Sequence, residues 1–168
     1  MFAALIAAGT FIAIPVGPVP IVMQNLFVLL AGLTLGPLLG CAAAALYLMT
    51  GIIGVPVFAG FTGGVARLAG PTGGFLLGYL LAPLAAGLIA GKPGNNIGRV
   101  VLIFAVCLGL LVVYVPGIAW LKIRTGYEWE KALAIGFLPF IPGDILKGIA
   151  AVLIAPRLRK TAAVHLNG

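Results

Sequence analysis

Two oppositely charged residues lie within one apolar stretch near the C-terminus of the 168-residue chain. Asp144, the only aspartate, and Lys147 are three residues apart in PFIPGDILKGIAAVLIAP, residues 139–156. On an α-helix this spacing places both side chains on one face, about one turn apart. A carboxylate or an ammonium group at the centre of a membrane helix costs roughly 2.5–3.5 kcal/mol, so the pair predicts a functional site. We expect both to face one cavity; a self-neutralising structural pair is the alternative.

A helix break is predicted immediately before Asp144. Pro139, Pro142 and Gly143 interrupt the helical pattern, so that Asp144 falls in the first turn of the helix that follows. Free N–H groups and the positive end of the helix dipole stabilise an anion at this position. Non-helical backbone at membrane depth is tolerated where it is buried in protein or lines a water-filled cavity. The break therefore favours a pocket beside Asp144.

Further polar side chains lie within otherwise apolar segments. Gln24 and Asn25 stand at the start of the second predicted helix, where they either cap the helix or reach a ligand. Tyr47 is either a packed aromatic residue or a ligand contact. Arg67, which has Phe58 nearby in a glycine-rich segment, either extends to the membrane interface or closes over an anionic ligand. Together with the acid–base pair, these groups suit a small ligand with a negative group at one end and N–H donors at the other.

The residues needed for several other chemistries are absent from the apolar segments. His165 is the only histidine and lies near the C-terminus, so no histidine-based metal site, triad or proton relay is available within the helices. Cys41 and Cys107 lack CxxC spacing, so we interpret both as packing residues. The glycine-rich segment 54–74 lacks the Gly-Lys-Ser/Thr ending of a phosphate loop. The inventory predicts no enzyme, no metal site and no cofactor.

The composition is that of an integral membrane protein. Hydrophobic residues make up 62% of the chain and charged residues only 8%, and a spanning helix needs about 20 apolar residues. Apolar runs between Gly and Pro breaks predict an all-α bundle of six transmembrane helices. Despite the net charge of +7, the ten Lys and Arg residues are scattered at helix ends, which disfavours nucleic-acid binding. We expect one domain over residues 1–160 and a flexible C-terminal tail over residues 161–168.

The Gly and Pro positions divide the chain into helices and loops. Helices are predicted at about residues 1–14, 21–35, 38–53, 71–90 and 99–120, with a sixth after the Pro-Gly break before Asp144. The prolines of PVGPVP, residues 15–20, exclude helix and predict a stiff apolar loop that covers the bundle as a lid. Residues 125–131, which contain both glutamates, are predicted to form a solvated loop at the membrane surface.

The first helix and the basic residues carry signals of packing and orientation. Ala3 with Ala7, and Ala4 with Ala8, have the small-xxx-small spacing at which another helix approaches closely, whether an internal neighbour or a separate subunit. If six helices alternate, one side holds five Lys and Arg residues and the other four. Because basic residues prefer the cytoplasmic side, both termini are predicted to be cytoplasmic.

Four ordered motifs give the chain a family resemblance. They are GPVPIVMQNLFVLLAGLTLG, GVPVFAGFTGG, GPTGGFLLGYL and FIPGDILKGIAAVLIAPRL, at residues 17–36, 54–64, 70–80 and 140–158. In this combination the chain resembles the BioY family, the biotin-binding S-components of energy-coupling-factor (ECF) vitamin transporters. The resemblance implies a six-helix subunit of the bacterial inner membrane that captures biotin from outside. It also implies three partners, namely a transmembrane coupling subunit and two cytoplasmic ATPases.

The resemblance further implies which residues bind biotin. The GDILK motif places Asp144 and Lys147 in the biotin site, and Arg67, before GPTGG, is a third member. We hypothesise that Asp144 accepts the ureido N–H groups, while Arg67 and Lys147 neutralise the carboxylate. The remaining predicted binding residues are Gln24, Asn25, Tyr47 and Phe58. The residues predicted to contact the coupling subunit are Ala4 and Ala8, with Ala3 and Ala7 beside them.

Two other functions remain compatible with these residues. In a self-sufficient secondary biotin transporter, Asp144 would take up a proton during the transport cycle. In a purely structural membrane subunit, the acid–base pair would hold helices together and no ligand would bind saturably.

Overall fold

The computed structural model describes residues 1–15 and 18–166 of the chain, and its architecture is mostly helical. Eight α-helices, two short strands and one 3-10 turn follow one another within these ranges. The helices are α1 (Phe2–Phe11), α2 (Gln24–Leu35), α3 (Pro37–Ile52), α4 (Ala66–Ala69), α5 (Gly73–Ala90), α6 (Arg99–Thr125), α7 (Trp129–Gly136) and α8 (Ile141–Leu166). The strands are β1 (Ala13–Ile14) and β2 (Ile21–Val22), and the 3-10 turn is Leu138–Phe140.

Three helical segments of the described chain are long and apolar enough to cross a membrane. They are Gly73–Ala90, Arg99–Thr125 and Trp129–His165, the last of which joins α7 to α8. The other apolar helices, α1, α2 and α3, are shorter, at 10, 12 and 16 residues. The structure thus confirms a helical membrane protein and identifies three clear membrane-spanning candidates.

Glycines allow the longer helices to approach each other closely. A Cβ atom added to Gly74 of α5 would lie 2.3 Å from the Cβ of Trp120 on α6. One added to Gly78 would lie 2.7 Å from the Cα of Val113, also on α6. Because real Cβ atoms do not come this close to other heavy atoms, a side chain at either position would push α6 away. Gly74 and Gly78 therefore allow α5 and α6 to pack closely.

The first helix ends earlier than predicted. Residues 12–14 are not helical, because β1 pairs with β2 in an antiparallel arrangement, with Ala13 opposite Val22 and Ile14 opposite Ile21. The prolines between the strands lack N–H donors, which fits the predicted absence of helix there. Val16 and Gly17 of the predicted PVGPVP loop lie outside the described residues, and its role as a lid stays a prediction.

The prediction was also wrong between the fifth predicted helix and the acid–base pair. Helix α6 continues past Trp120 to Thr125, and it ends where Gly126 adopts the left-handed conformation (φ 71°) with its N–H bonded to the Lys122 carbonyl, 2.9 Å away. Residues 129–131, predicted as loop, begin α7. The Lys122 ammonium lies 5.2 Å from the centre of the Trp129 ring, so a cation–π contact joins the two helices.

Helix α8 carries the acid–base pair and extends beyond the predicted domain boundary. Asp144 lies in its first turn, as predicted, but the predicted position of the break was wrong. The break falls at the 3-10 turn Leu138–Phe140, and Pro142 and Gly143 lie inside the first turn of α8, where a proline needs no N–H partner. Pro156 lies inside the helix, which continues to Leu166. Residues 161–166 of the predicted tail are therefore helical, while residues 167–168 lie outside the described part. The single-domain division and the flexibility of the tail stay predictions.

Candidate functional site

A cavity of about 420 Å³ lies between α1, the β1–β2 hairpin, α2, α5 and α6. Ligand pockets for small molecules typically measure about 300–1,000 Å³ and combine apolar walls with a few placed polar groups. This cavity fits that description, because aromatic side chains dominate its walls. The aromatic lining residues are Phe11, Phe58, Phe61, Phe75, Tyr79, Tyr114 and Phe140, and the polar ones include Gln24, Asn25, Arg67, Thr10 and Thr72.

Asp144 is the centre of a buried hydrogen-bond network beside this cavity. Its carboxylate is only 4% exposed and accepts hydrogen bonds from three side chains. The Asn25 Nδ2 lies 3.2 Å from each carboxylate oxygen, and the Tyr114 hydroxyl donates to Oδ2. The Lys147 ammonium lies 2.7 Å from Oδ1 and is itself 6% exposed. Asp144 and Lys147 lie on one helix face, as predicted, and they form the ion pair that the structural alternative describes.

The pair lies behind the cavity wall. Among the described residues, Asn25 and Tyr114 line the cavity, whereas Asp144 and Lys147 do not. A carboxylate has about four acceptor positions, and the contacts from Lys147, Tyr114 and Asn25 occupy them. The expectation that Asp144 and Lys147 both face the cavity was therefore wrong, and a ligand meets the partners of Asp144 before it meets the carboxylate.

Asn25 connects this network to a second tyrosine. The Tyr79 hydroxyl donates to the Asn25 Oδ1 at 2.6 Å, and the amide Nδ2 of Asn25 points to Asp144. Since Oδ1 accepts and Nδ2 donates, these two partners assign the orientation of the amide. Asn25 does not cap α2, for which no side-chain cap hydrogen bond is found and whose N-cap residue is Met23. The capping alternative is therefore wrong.

Gln24, Tyr47 and Phe58 form a second polar and aromatic group. Gln24 and Phe58 line the cavity, and Tyr47 packs edge-to-face on Phe58 with ring centres 5.7 Å apart. In the described part of the chain, the Gln24 Nε2 and the Tyr47 hydroxyl have no hydrogen-bond partner although both are buried. An unsatisfied buried polar group costs about 1–3 kcal/mol. Gln24 lines the cavity and can therefore hydrogen-bond a ligand there, whereas Tyr47, predicted to bind the ligand, is not among the lining residues described.

Arg67 holds the loop that forms another part of the cavity wall. Its Nε donates to the Thr62 Oγ1 at 2.7 Å, and its Nη2 to the Ala59 carbonyl at 3.2 Å. In the same loop Phe61 adopts φ 55°, an uncommon conformation for a residue other than glycine. Its ring stacks on Phe11 of α1 with centres 5.0 Å apart. Arg67 itself lines the cavity and is half-buried.

Two tyrosines of the network escaped the sequence analysis. Tyr79 on α5 and Tyr114 on α6 are both buried, and each hydrogen-bonds a member of the network. The signal was present, since a hydroxyl within an apolar helix needs a partner. The requirement that makes Tyr47 a candidate polar residue therefore holds for Tyr79 and Tyr114 as well.

The alanines of α1 divide into two faces. Ala3 and Ala7 are half-buried and pack against the core, whereas Ala4 and Ala8 are exposed. The small-xxx-small pair Ala4 and Ala8 therefore lies on an open surface of the first helix.

Comparison with known proteins places this arrangement in a family. The family model described as "BioY family" matches residues 1–164. The chain belongs to the BioY family. A protein of Pyrococcus horikoshii named "Probable biotin transporter BioY" is 44% identical over 95% of this chain and 92% of its own length. The "Biotin transporter BioY" of Thermotoga maritima is 41% identical over 95% of this chain and 92% of its length.

A solved structure supports the same assignment. The crystal structure of an S-component for biotin from an ECF-type ABC transporter superposes on this BioY chain with a TM-score of 0.86 at 34% sequence identity. The match covers 95% of this chain and 87% of the other. The resemblance drawn from the four motifs is confirmed.

Proposed function

We propose that this chain is the substrate-capturing S-component of an ECF-type biotin transporter and that biotin binds in the 420 Å³ cavity. The observation that carries the proposal is the buried network around Asp144, which presents oriented polar groups to an aromatic cavity in a BioY-family chain. The similar proteins are named as biotin transporters, which supports transport over catalysis. Biotin is then the transported substrate and no cofactor is needed.

The network offers a way to recognise the ureido ring. Asn25, Tyr79 and Tyr114 line the cavity and are each fixed by a hydrogen bond within the network. A ureido group donates two N–H bonds and accepts at its carbonyl, so it needs partners of both kinds. Amide and hydroxyl groups supply both. We propose that Asp144 acts on biotin mainly by orienting Asn25 and Tyr114.

The two cations then have different roles. Lys147 is committed to Asp144 at 2.7 Å, so it neutralises the buried carboxylate. Arg67 lines the cavity and uses Nε and one Nη2 bond on its own loop, which leaves further N–H donors for an anion. We propose that Arg67 pairs with the carboxylate of biotin, and that this contact also steadies the loop at Ala59 to Thr62.

The membrane arrangement follows from the same proposal. We propose that α1, α2 and α3 cross the membrane together with the three longer segments, which gives six spans. The positive-inside rule then favours both termini on the cytoplasmic side of the bacterial inner membrane, with the cavity open to the outside. Local thinning of the bilayer and flanking side chains that extend to the interface accommodate the shorter helices.

The partners of the proposed S-component are a coupling subunit and two ATPases. The glycine-rich segment of this chain lacks a phosphate-loop ending, so a separate subunit must supply the energy of ATP hydrolysis. The exposed pair Ala4 and Ala8 on α1 is the surface that we assign to the coupling subunit. Replacing both by Leu is expected to abolish assembly with the coupling subunit and leave biotin affinity unchanged.

A titration and an uptake assay together test the proposal. Purified chain is titrated with biotin and with other vitamins, and we expect saturable binding of biotin alone. The same chain in vesicles is assayed for biotin uptake with and without the ATPase module, and we expect ATP-driven uptake only with it. Uptake by the chain alone would indicate a secondary transporter, and the absence of saturable binding a structural subunit.

A further inference from the structure

A second cavity lies at the end of the bundle that is distant from Asp144. It measures about 290 Å³ and is bounded by the α5–α6 turn at residues 94–97 and by Pro156, Arg159 and Lys160 of α8. The turn packs on α8, since a Cβ added to Gly94 would lie 3.1 Å from the Cβ of Ala163. The cavity is therefore a feature of the contact between two elements and is separate from the proposed biotin site.

The charges around this cavity have one sign. Arg159 and Lys160 form part of its wall, and Lys92 is adjacent, since its carbonyl accepts a hydrogen bond from the Arg159 Nη2 at 2.6 Å. The chain contains only three acidic residues. Asp144 precedes Arg159 by fifteen residues, or about 22 Å along the helix, and both glutamates follow the far end of α6, roughly 40 Å from its start at Arg99. These distances exceed the Debye length of about 8–10 Å at physiological salt, so the carboxylates do not neutralise this end.

Arg159 fixes a positive charge in the cavity wall. It is only 2% exposed, and its two Nη groups donate to main-chain carbonyls, among them those of Leu33 and Ala90. Its Nε–H has no acceptor among the described residues. Lys160, in contrast, is exposed and free to move toward a ligand. The cavity thus combines a fixed cation with a mobile one.

An exposed apolar stripe leads from this cavity toward the middle of α8. Ile149, Leu153, Pro156 and Lys160 are spaced by four, three and four residues, which places them on one helix face. Ile149 and Leu153 are 53% and 58% exposed. A free phosphate ion would contact the cations but not the apolar residues of this stripe. A molecule with a phosphate at one end and a hydrocarbon chain at the other would use both.

We propose that this cavity binds the phosphate headgroup of an anionic phospholipid, with an acyl chain along the Ile149–Leu153 face of α8. Basic pockets between transmembrane helices at the membrane surface bind anionic headgroups by this chemistry. The site is independent of the proposed biotin cavity, so biotin affinity serves as a check on folding.

The test compares two exposed cations of α8. Lys160→Gln removes a cation that lines the cavity, and Arg157→Gln removes one that is exposed but does not line it. Native mass spectrometry of the detergent-solubilised chain measures retained lipid during titration with phosphatidylglycerol or with phosphatidylcholine of the same acyl chains. We expect a preference for phosphatidylglycerol that Lys160→Gln lowers about fivefold and Arg157→Gln by less than about twofold, with biotin affinity unchanged in both.

Four results would overturn the proposal. Equal binding of the two lipids, or equal losses in both variants, would mean that the cavity does not select a headgroup. Displacement of phosphatidylglycerol by excess inorganic phosphate would identify a site for the free ion. If Lys160→Gln left lipid binding intact and weakened assembly with the coupling subunit, the basic surface would be a protein contact.

Discussion

The two ends of α8 both bury charge, and they do so in opposite ways. At its start, Asp144 and Lys147 form an ion pair whose other contacts are the side chains of Asn25 and Tyr114. Fifteen residues later, Arg159 is buried with no acidic side chain beside it in the described part of the chain, and it bonds main-chain carbonyls. One end of the helix thus places its charge among side chains that line a cavity, and the other among backbone groups.

The difference indicates what each buried charge is for. The carbonyls bonded by Arg159 belong to Leu33 in the last turn of α2 and Ala90 at the end of α5, where free carbonyls and the negative dipole end favour a cation. Arg159 therefore joins the ends of two helices to α8. The Asp144 network instead orients side chains toward the 420 Å³ cavity, where a bound ligand can hydrogen-bond to them. We infer that Arg159 mainly joins helices, while it also lines the smaller cavity, and that Asp144 serves the binding of biotin.

The largest expected effect is that of Asp144→Asn on biotin binding. The substitution keeps the shape of the side chain, removes the charge that orients Asn25 and Tyr114, and leaves Lys147 buried without its partner. Truncating one member of a buried charge pair typically costs 2–5 kcal/mol, so we expect the dissociation constant of biotin to rise at least about 30-fold. Equilibrium titration measures it, and an unchanged constant would remove Asp144 from the site.

A double variant separates binding from folding in that experiment. Asp144→Asn combined with Lys147→Met removes both buried charges, so no uncompensated ammonium remains. We expect it to recover the thermal midpoint of the native chain but not its biotin affinity. Recovery of affinity as well would show that the pair is only structural.

Arg159→Gln is expected to lower the stability of the chain without weakening biotin binding. The variant loses charged hydrogen bonds to the ends of α2 and α5, each worth about 1.5–3 kcal/mol. We expect the free energy of unfolding to fall by about 2 kcal/mol or more, and the thermal midpoint by roughly 4–8 °C, with biotin affinity within about twofold of the native value. Arg157→Gln, at an exposed position, is the matched control. A loss of biotin binding comparable to that of Asp144→Asn would show that Arg159 and Asp144 do not have different roles.

Arg67→Gln tests the assignment of the ligand's carboxylate. Removing the cation should weaken biotin binding about tenfold, because one charge-assisted contact is lost. Biotin amide, which is neutral at that end, should bind the native chain and the variant alike. If the amide lost as much affinity as biotin, Arg67 would act through the loop it holds at Thr62 and not through the charge of the ligand.

The smallest effect is expected for Tyr79→Phe. The variant removes the hydroxyl that fixes the Asn25 amide at 2.6 Å but keeps the bond between Asn25 and Asp144. One hydrogen bond of about 1 kcal/mol corresponds to about fivefold in the dissociation constant. Because Leu76 lines the same cavity with no polar group, Leu76→Ile is a control for changes in cavity shape alone.

The sequence predicted the chemistry of the site better than its geometry. The cost of burying charge singled out Asp144 and Lys147, and the helix break placed Asp144 correctly in the first turn of α8. That Asp144 lies behind Asn25 depends on how α2 packs on α8, which joins residues 119 positions apart. Local spacing carries no information about such contacts, so their partners could not be read from the chain.

The differences between the predicted and the observed elements also have identifiable causes. The sequence pattern predicts the end of α6 at about residue 120, whereas Gly126 supplies the left-handed residue that stops this helix. The hairpin after α1 depends on the pairing of Ala13 with Val22 across the proline segment, which hydropathy does not report. The roles of Tyr79 and Tyr114 depend on hydrogen bonds to Asn25 and Asp144, which are distant from them in sequence.

Small molecules retained by the purified chain test the binding role of this network most directly. Native protein and the Asp144→Asn/Lys147→Met variant are produced in cells supplied with biotin, purified in parallel and extracted, and the extracts are compared by mass spectrometry. We predict about one equivalent of biotin from the native chain and almost none from the variant. Equal amounts of biotin from both proteins, or a different molecule in the native extract, would contradict a biotin site built on Asp144.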